Sequence, residues 1–310
     1  MAEDDFPNID EFDPGQIDTQ AINAFHLGGN RFSASFELDD EDLEASRGYL
    51  LDVEFGASLT YRQRLRFEES LRDHCIAGAG QYLVLELGGV LHHLDSEGER
   101  QVNLPDGVLT RLWRAPDGRF ICFGEGGVAY VGGISGWQRI PNVTDELLAD
   151  THGRSADAIH CAGWHGTLLR LGRAGWQPIE TGTHDQFDAV HVAADGAIML
   201  GGEKGVAYSL RDDELTALDA EPWDYTAICE FKGRTYWADA NFGISVQRGQ
   251  RIEPLRELGQ GFRLQASADC LVVSGWHEVF VFDGESWEGF EMGYDGNIFL
   301  RRLDMADYGG

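Results

Sequence analysis

Residues 186–224 read QFDAVHVAADGAIMLGGEKGVAYSLRDDELTALDAEPWD. The stretch breaks at its turns into four short strands. FDAVHVA (187–193) alternates, ADG turns, and AIMLGG (197–202) is an apolar run. EKG turns again, VAYSL (206–210) alternates, RDDE turns, and LTALD (215–219) closes the unit. Period-two alternation bounded by Gly and Asp is the pattern of half-buried strands joined by tight turns. Glycine suits such bends because it accepts positive φ, and Asp bonds back to the turn backbone. Five Asp-Gly steps, at Asp106, Asp117, Asp195, Asp283 and Asp295, repeat that chemistry along the chain.

The unit recurs. GVLHHL at Gly89, GVAYVG at Gly127, GTLLRL at Gly166, GVAYSL at Gly205 and GISVQR at Gly243 are separated by 38, 39, 39 and 38 residues. A sixth copy, EVFVFDG, follows at Glu278. An upstream turn position keeps the phase as Gly80, Gly118, Asp157, Gly196 and Gly233. A four-stranded sheet of this size cannot hide both faces, so successive copies must stack and bury each other. The expected fold is all-β: a single β-propeller of four-stranded blades. The chain resembles short-blade propellers of the kelch-like, WD-like and degenerate Asp-box kinds, with DGESW (283–287) as the worn Asp-box. The resemblance covers roughly 74–294. Outside it, YLLDVEFG (49–56), LTYRQRLRF (59–67) and NIFLRRL (297–303) read as further strands. Pairing the last of these with the amino-terminal strands gives a ring-closing seventh blade; without it the count is six.

Residues 1–46 hold 13 acidic residues and one basic, and 1–20 read as an acidic mobile segment preceding a propeller over 21–310. Asp39–Ser46 reads as one capped helical turn ending near Gly48. Over the 310 residues, 24 basic and 53 acidic side chains give a net charge of −29. That field repels nucleic acid and anionic lipid and favours a basic partner. No run reaches the 18 or so apolar residues of a membrane-crossing helix, and nothing resembles an export signal. The five cysteines, odd in number and without a CxxC pair, read as small buried hydrophobes in a reduced, cytoplasmic protein. Cys122 and Cys161 fall at equivalent positions of adjacent copies.

In a propeller, the loops between second and third strands share a face with the connections between blades. Glu125, Trp164, His165, Glu203, Lys204, Asp239, Asn241, Phe242, Trp276 and His277 fall in the first group; Asp145, His184, Trp223, Asp224 and Tyr225 fall in the second. The partner-binding set drawn from them is Glu125, Trp164, His165, Glu203, Asp239, Phe242, Trp276, His277, Trp223, Asp224 and Tyr225. The tripeptide GWH occurs at 163–165 and again at 275–277, in equivalent loops. Rigid aromatic rings among carboxylates suit a protein-contact surface; the bland alternative has Trp164 and Trp276 plugging gaps between blades. His160, His165, His184 and His191 fall in neighbouring copies, with His191 placed to face the channel, but no compact ligand motif accompanies them. His92 and His93 point to opposite strand faces and cannot chelate together. No GxSxG elbow, P-loop or GxGxxG–helix unit is present. The expectation is therefore a non-catalytic binding protein without cofactor or metal. Its narrower form is an acidic immunity protein neutralising a basic bacterial toxin. Alternatives are an assembly scaffold, a hydrolase or lyase at the channel mouth, and a lectin stacking sugars on Trp164 and Trp276.

Overall fold

A computed structural model describes residues 15–40, 43, 45–173 and 175–309. Seven antiparallel sheets follow one another along the chain, spanning 17–67, 71–103, 109–140, 148–178, 189–217, 225–257 and 263–302, here blades 1 to 7. Within each blade the strands pair in sequence order. The first strands of neighbouring blades touch all the way round, blade 7 to blade 1 included. The chain is an all-β, seven-bladed propeller.

Each blade buries one face against the next. Leu83 and Leu85 of blade 2 meet Leu112, Phe120 and Cys122 of blade 3. Ile121 and Phe123, from the other face of blade 3, meet Ile159, Cys161 and Trp176 of blade 4. Cys122 and Cys161 thus serve as packing groups in successive interfaces, and all five cysteines are free and buried. The ring closes through Phe36, Leu51 and Val53 of blade 1 packed on Val272, Phe290 and Met292 of blade 7.

The repeated glycines mark where a second-to-third-strand loop passes under the connection leaving its own blade. Gly127 and Gly166 have φ of +67° and +75°, and a Cβ on either would lie 2.0 Å from the carbonyl oxygen of Thr144 or Thr183. Four Asp-Gly aspartates bond to their own turns as expected, Asp295 accepting from Asn297 N at 3.4 Å. Asp117 accepts from Arg119 N at 3.1 Å, Asp195 from Ala197 N at 3.1 Å, and Asp283 from Glu285 N and Ser286 N at 2.8 Å each.

The termini differ from the sequence reading. The carboxyl-terminal strand Ile298–Arg302 does not join the amino-terminal strands; it pairs with Trp287–Tyr294 as a fifth strand of blade 7. Blade 1 comes wholly from 17–67, because the long strands Ile17–Gly28 and Arg31–Asp40 already supply its inner half. The seam with blade 7 is clasped by side chains: Arg302 lies 4.1 Å over the Phe55 ring and donates to Gly56 O at 2.7 Å, and Tyr61 Oη donates to Ile298 O at 2.7 Å. Residues 1–14 of the segment expected to be mobile lie outside the described residues, and Ile17–Gln20 are strand. Of the helical turn expected at 39–46, residues 41, 42 and 44 lie outside the described residues, while its ends are strand: Asp39 and Asp40 end one strand, Ala45 and Ser46 begin the next, and Ser46 Oγ donates to Asp39 at 2.5 Å across the pair.

Candidate functional site: the loop face and the channel mouth

The loops between second and third strands and the interblade connections do share one face. Backbone bonds tie them in a repeated pattern: Gly127 N to Glu146 O, Gly166 N to Asp185 O and Gly205 N to Trp223 O, each at 2.7 Å. The platform is therefore held by backbone bonds, and its side chains project from a fixed frame.

The structure sorts the candidate residues into three groups. Trp164 is 39% exposed and its indole is hydrogen-bonded to Asp188 at the start of blade 5, and His165 beside it holds Glu146 at 2.7 Å. Trp223 and Phe242 stack 4.9 Å apart with planes 7° from parallel, joining the connection after blade 5 to the loop of blade 6. Glu125 is exposed in a 3-10 turn, while Glu203 accepts from Gln186 at 3.1 Å and lies 3.8 Å from Lys204. These residues form a surface. Asp224 is half-buried and accepts from Lys204 N at 2.8 Å, which fixes the blade 5 loop.

Trp276 and His277 form the second group. Trp276 is 38% exposed, but its indole donates to Asp18 at 3.3 Å, and His277 contacts Thr19 O. The second GWH therefore stitches blade 7 to blade 1 as well as facing solvent.

Asp239 and Tyr225 leave the surface set, since both are fully buried. Asp239 Oδ1 accepts from the backbone N–H of Asn241 at 3.0 Å, Phe242 at 2.6 Å and Gly243 at 3.3 Å, so it shapes the loop from inside. Tyr225 packs edge-on against Trp237 in the core between blades 5 and 6. The histidines singled out in neighbouring copies do not converge: among the described residues no group of three or more His, Cys, Asp or Glu is placed to hold a metal.

Below the platform lies the channel, a cavity of about 310 Å³ lined by the first strands of all seven blades. Five of those strands carry a bulge at the same place, between Ala21 and Asn23, Leu71 and Asp73, Leu109 and Arg111, Leu148 and Asp150, and Tyr225 and Ala227. A bulge re-aims the side chain beside it, and Asn23, Asp73, Arg111, Asp150 and Thr226 at these bulges join Asp188 and Arg263 of the two regular blades in a polar belt that lines the channel. The belt latches blade to blade. Asn23 donates to Asp73 at 2.8 Å, Asp73 accepts from Leu112 N at 3.0 Å, and Arg111 Nε donates to Ala149 O at 3.2 Å. Asp150 then accepts from Val190 N at 2.8 Å, Glu230 from Ala194 N at 3.2 Å, and Gly261 O from Thr226 Oγ1 at 2.6 Å. Ala21 N to Trp276 O at 2.7 Å completes the circle.

Burial dominates the ionisation of the belt. It pushes Asp150 up to about 7 and raises Asp73 and Asp188, with Arg111 opposing it in each case. At the far end of the channel His152 and His191 stack at 4.2 Å, and burial drives them down to about 3 and about 4. The stack holds two neutral rings. Beside it, Arg154 pairs with Glu230 at 2.9 Å.

The sequence reading missed this belt, although its signal is in the chain: Asp73, Arg111, Asp150 and Asp188 are spaced 38, 39 and 38 residues apart, in phase with the glycines.

No protein-family model matches the sequence, and no curated protein is significantly similar to it. Solved structures do share its shape. The WD40 propeller domain of Doa1 superposes with a TM-score of 0.69 at 10% identity, covering 87% of this chain and 95% of that one. Sqt1 of Saccharomyces cerevisiae gives 0.65 at 9% identity, covering 92% and 96%. YCF48, in a structure with D1 peptide bound, gives 0.61 at 12% identity, covering 95% and 96%. At these identities the likeness concerns shape alone, and what it establishes is that this chain is a seven-bladed β-propeller.

Proposed function

We propose that this chain is a non-catalytic protein-binding propeller whose loop face receives a cationic protein. The observation that carries the reading is the placement of Trp164 and the stacked Trp223–Phe242 pair on one backbone-tied face, among Glu125, Glu146 and Glu203. Rigid rings supply contact area at small entropic cost, and surrounding carboxylates steer a basic partner to them. The net charge of −29 extends that steering over the whole molecule. The bound D1 peptide of YCF48 is a precedent for this shape holding a polypeptide. The channel carboxylates Asp73 and Asp150, both raised by burial, are occupied with backbone N–H groups, which favours binding over catalysis. In its narrower form the partner is a basic toxin and this chain its inhibitor.

The experiment is capture of a purified basic partner, for instance a toxin encoded beside this chain, by the wild type and by Trp164→Ala and Trp223→Ala variants over a salt series. The reading expects affinity that falls with salt and falls again in both variants at unchanged fold. Salt-indifferent capture, or full capture by both variants, contradicts it. Failure of co-expression to protect a host from that toxin removes the inhibitor form.

A further inference from the structure

On the loop-face side of the polar belt lies a second cavity of about 320 Å³, between blades 1, 2, 3 and 7. Three arginines line it: Arg72 and Arg111 from successive first strands, and Arg263 from the first strand of blade 7. Their convergence runs against a chain with 53 acidic side chains and 24 basic ones. Among the described residues none of the three is in an ion pair, whereas thirteen other basic side chains are, from Arg47 to Arg302. Arg111 at least feels Asp73, Asp150 and Asp188 along the belt. Arg263 donates Nη1 to Phe262 O at 3.0 Å, and the Nε–H of both Arg72 and Arg263 is buried without a hydrogen-bond acceptor. An unmet buried donor of this kind is costly, the more so where the group is charged. Glu37 also lines the cavity, and its carboxylate is engaged by Ser70 Oγ at 2.9 Å and Leu71 N at 2.8 Å. The opposite wall is apolar, with Ile22, Phe262 and Trp276, the last two rings 5.8 Å apart.

We propose that this cavity binds an organic carboxylate: the arginines take the carboxylate, and the Phe262–Trp276 wall takes the apolar body behind it. Planar guanidinium groups match carboxylate oxygens in a fork. A singly charged group suits a pocket set in a negative protein better than a phosphate dianion does. The volume fits a group the size of one amino-acid residue or a small aryl acid. The carboxylate therefore has two sources, a free small acid or the carboxyl terminus of a polypeptide. The assignment does not depend on the cationic-partner reading, which uses Trp164 and Trp223 on other blades.

The test is titration calorimetry, with melting temperature alongside, using 3-phenylpropionate, a tripeptide ending in phenylalanine, and the same tripeptide amidated, at fixed ionic strength. Binding by either acid but not by the amide supports the proposal, and the tighter of the two identifies the source. The double variant Arg72→Gln, Arg263→Gln should bind at least roughly tenfold more weakly, the equivalent of one charged hydrogen bond. The double lysine variant keeps the charge without the fork and should fall between. Unliganded melting temperatures of both variants report whether the ring still folds. Absence of binding by both acids, equal binding of the amide, equal binding of inorganic phosphate, or undiminished binding by the folded glutamine variant overturns the proposal.

Discussion

Replacing His191 by phenylalanine isolates one feature of the channel by its pH dependence. His191 is 4% exposed, stacks on His152, and has both ring nitrogens buried without a hydrogen-bond partner. Burial lowers it from 6.5 to about 4. Above pH 6.5 the ring is neutral in folded and unfolded chains alike and contributes nothing to pH dependence. As pH falls below 6.5 the unfolded chain takes up a proton that the folded chain refuses. Stability is then lost at about 1.4 kcal/mol per pH unit until the folded pKa is reached. From pH 7 to pH 4 the loss from this residue is about 3 kcal/mol. The wild-type profile alone hides it, because Asp150 and Glu37, both raised to about 7, have the opposite sign. Each binds its proton more readily when folded, so their contribution grows as pH falls from 7 toward 4. The difference between wild type and His191→Phe removes that background. Phenylalanine keeps the ring stack and deletes two unmet polar atoms, so the variant should match or exceed the wild type at pH 7. In urea denaturation at half-unit pH steps, the variant should gain about 3 kcal/mol on the wild type by pH 4. A constant difference across that range would mean that His191 ionises freely in the folded ring, and the reasoning would fail.

Four further outcomes are expected. Trp276→Ala should lower stability by about 1–3 kcal/mol, because the indole meets Asp18 and packs on Phe262 at the ring seam, whereas Trp164→Ala, which loses its bond to Asp188 and no ring contact, should cost about 1 kcal/mol; equal thermal shifts would contradict this division. Gly202→Ala places a Cβ 1.9 Å from Gln186 O, a backbone atom that cannot yield, and should cost about 3 kcal/mol or more or abolish soluble expression; a wild-type melting curve would refute the loop geometry. The five thiols should resist a thiol reagent in the native ring and all react once it is unfolded, since each is buried and burial holds Cys161 up at about 12; rapid native labelling would contradict the packing. Affinity for a basic partner should weaken with added salt, as exposed charges are screened beyond about 8 Å at physiological ionic strength.

The blades from 71 onward were legible because their glycines are geometrically compelled. Gly89, Gly127, Gly166, Gly205 and Gly243 all take positive φ under an overlying connection, so the chain repeats them in phase. The inner half of blade 1 was illegible for an equally physical reason. Its inner strands run to 12 and 10 residues without that glycine, and several buried positions are polar: Asn23, Ser33, Ser35 and Glu37. Ser33 and Ser35 hold the buried His74 ring between them at 3.0 and 2.8 Å, so residues that read as surface belong to the interior. Asp239 misled in the same way, an acid in a loop that three backbone N–H groups draw inside. The aromatic platform was readable because turns place few tryptophans. The arginine cavity was not, because Arg72, Arg111 and Arg263 meet only when blade 7 closes on blade 1.

The most direct test of the protein-binding account is hydrogen exchange on the ring with and without a captured basic partner. The account predicts slowed exchange at 141–147, 163–167, 203–206, 218–224 and 240–242, the loops and connections that carry Glu146, Trp164, Glu203, Trp223 and Phe242. Protection confined to the opposite face, around Asp117, Asp195 and Gly233, or to the outer strands, would contradict it.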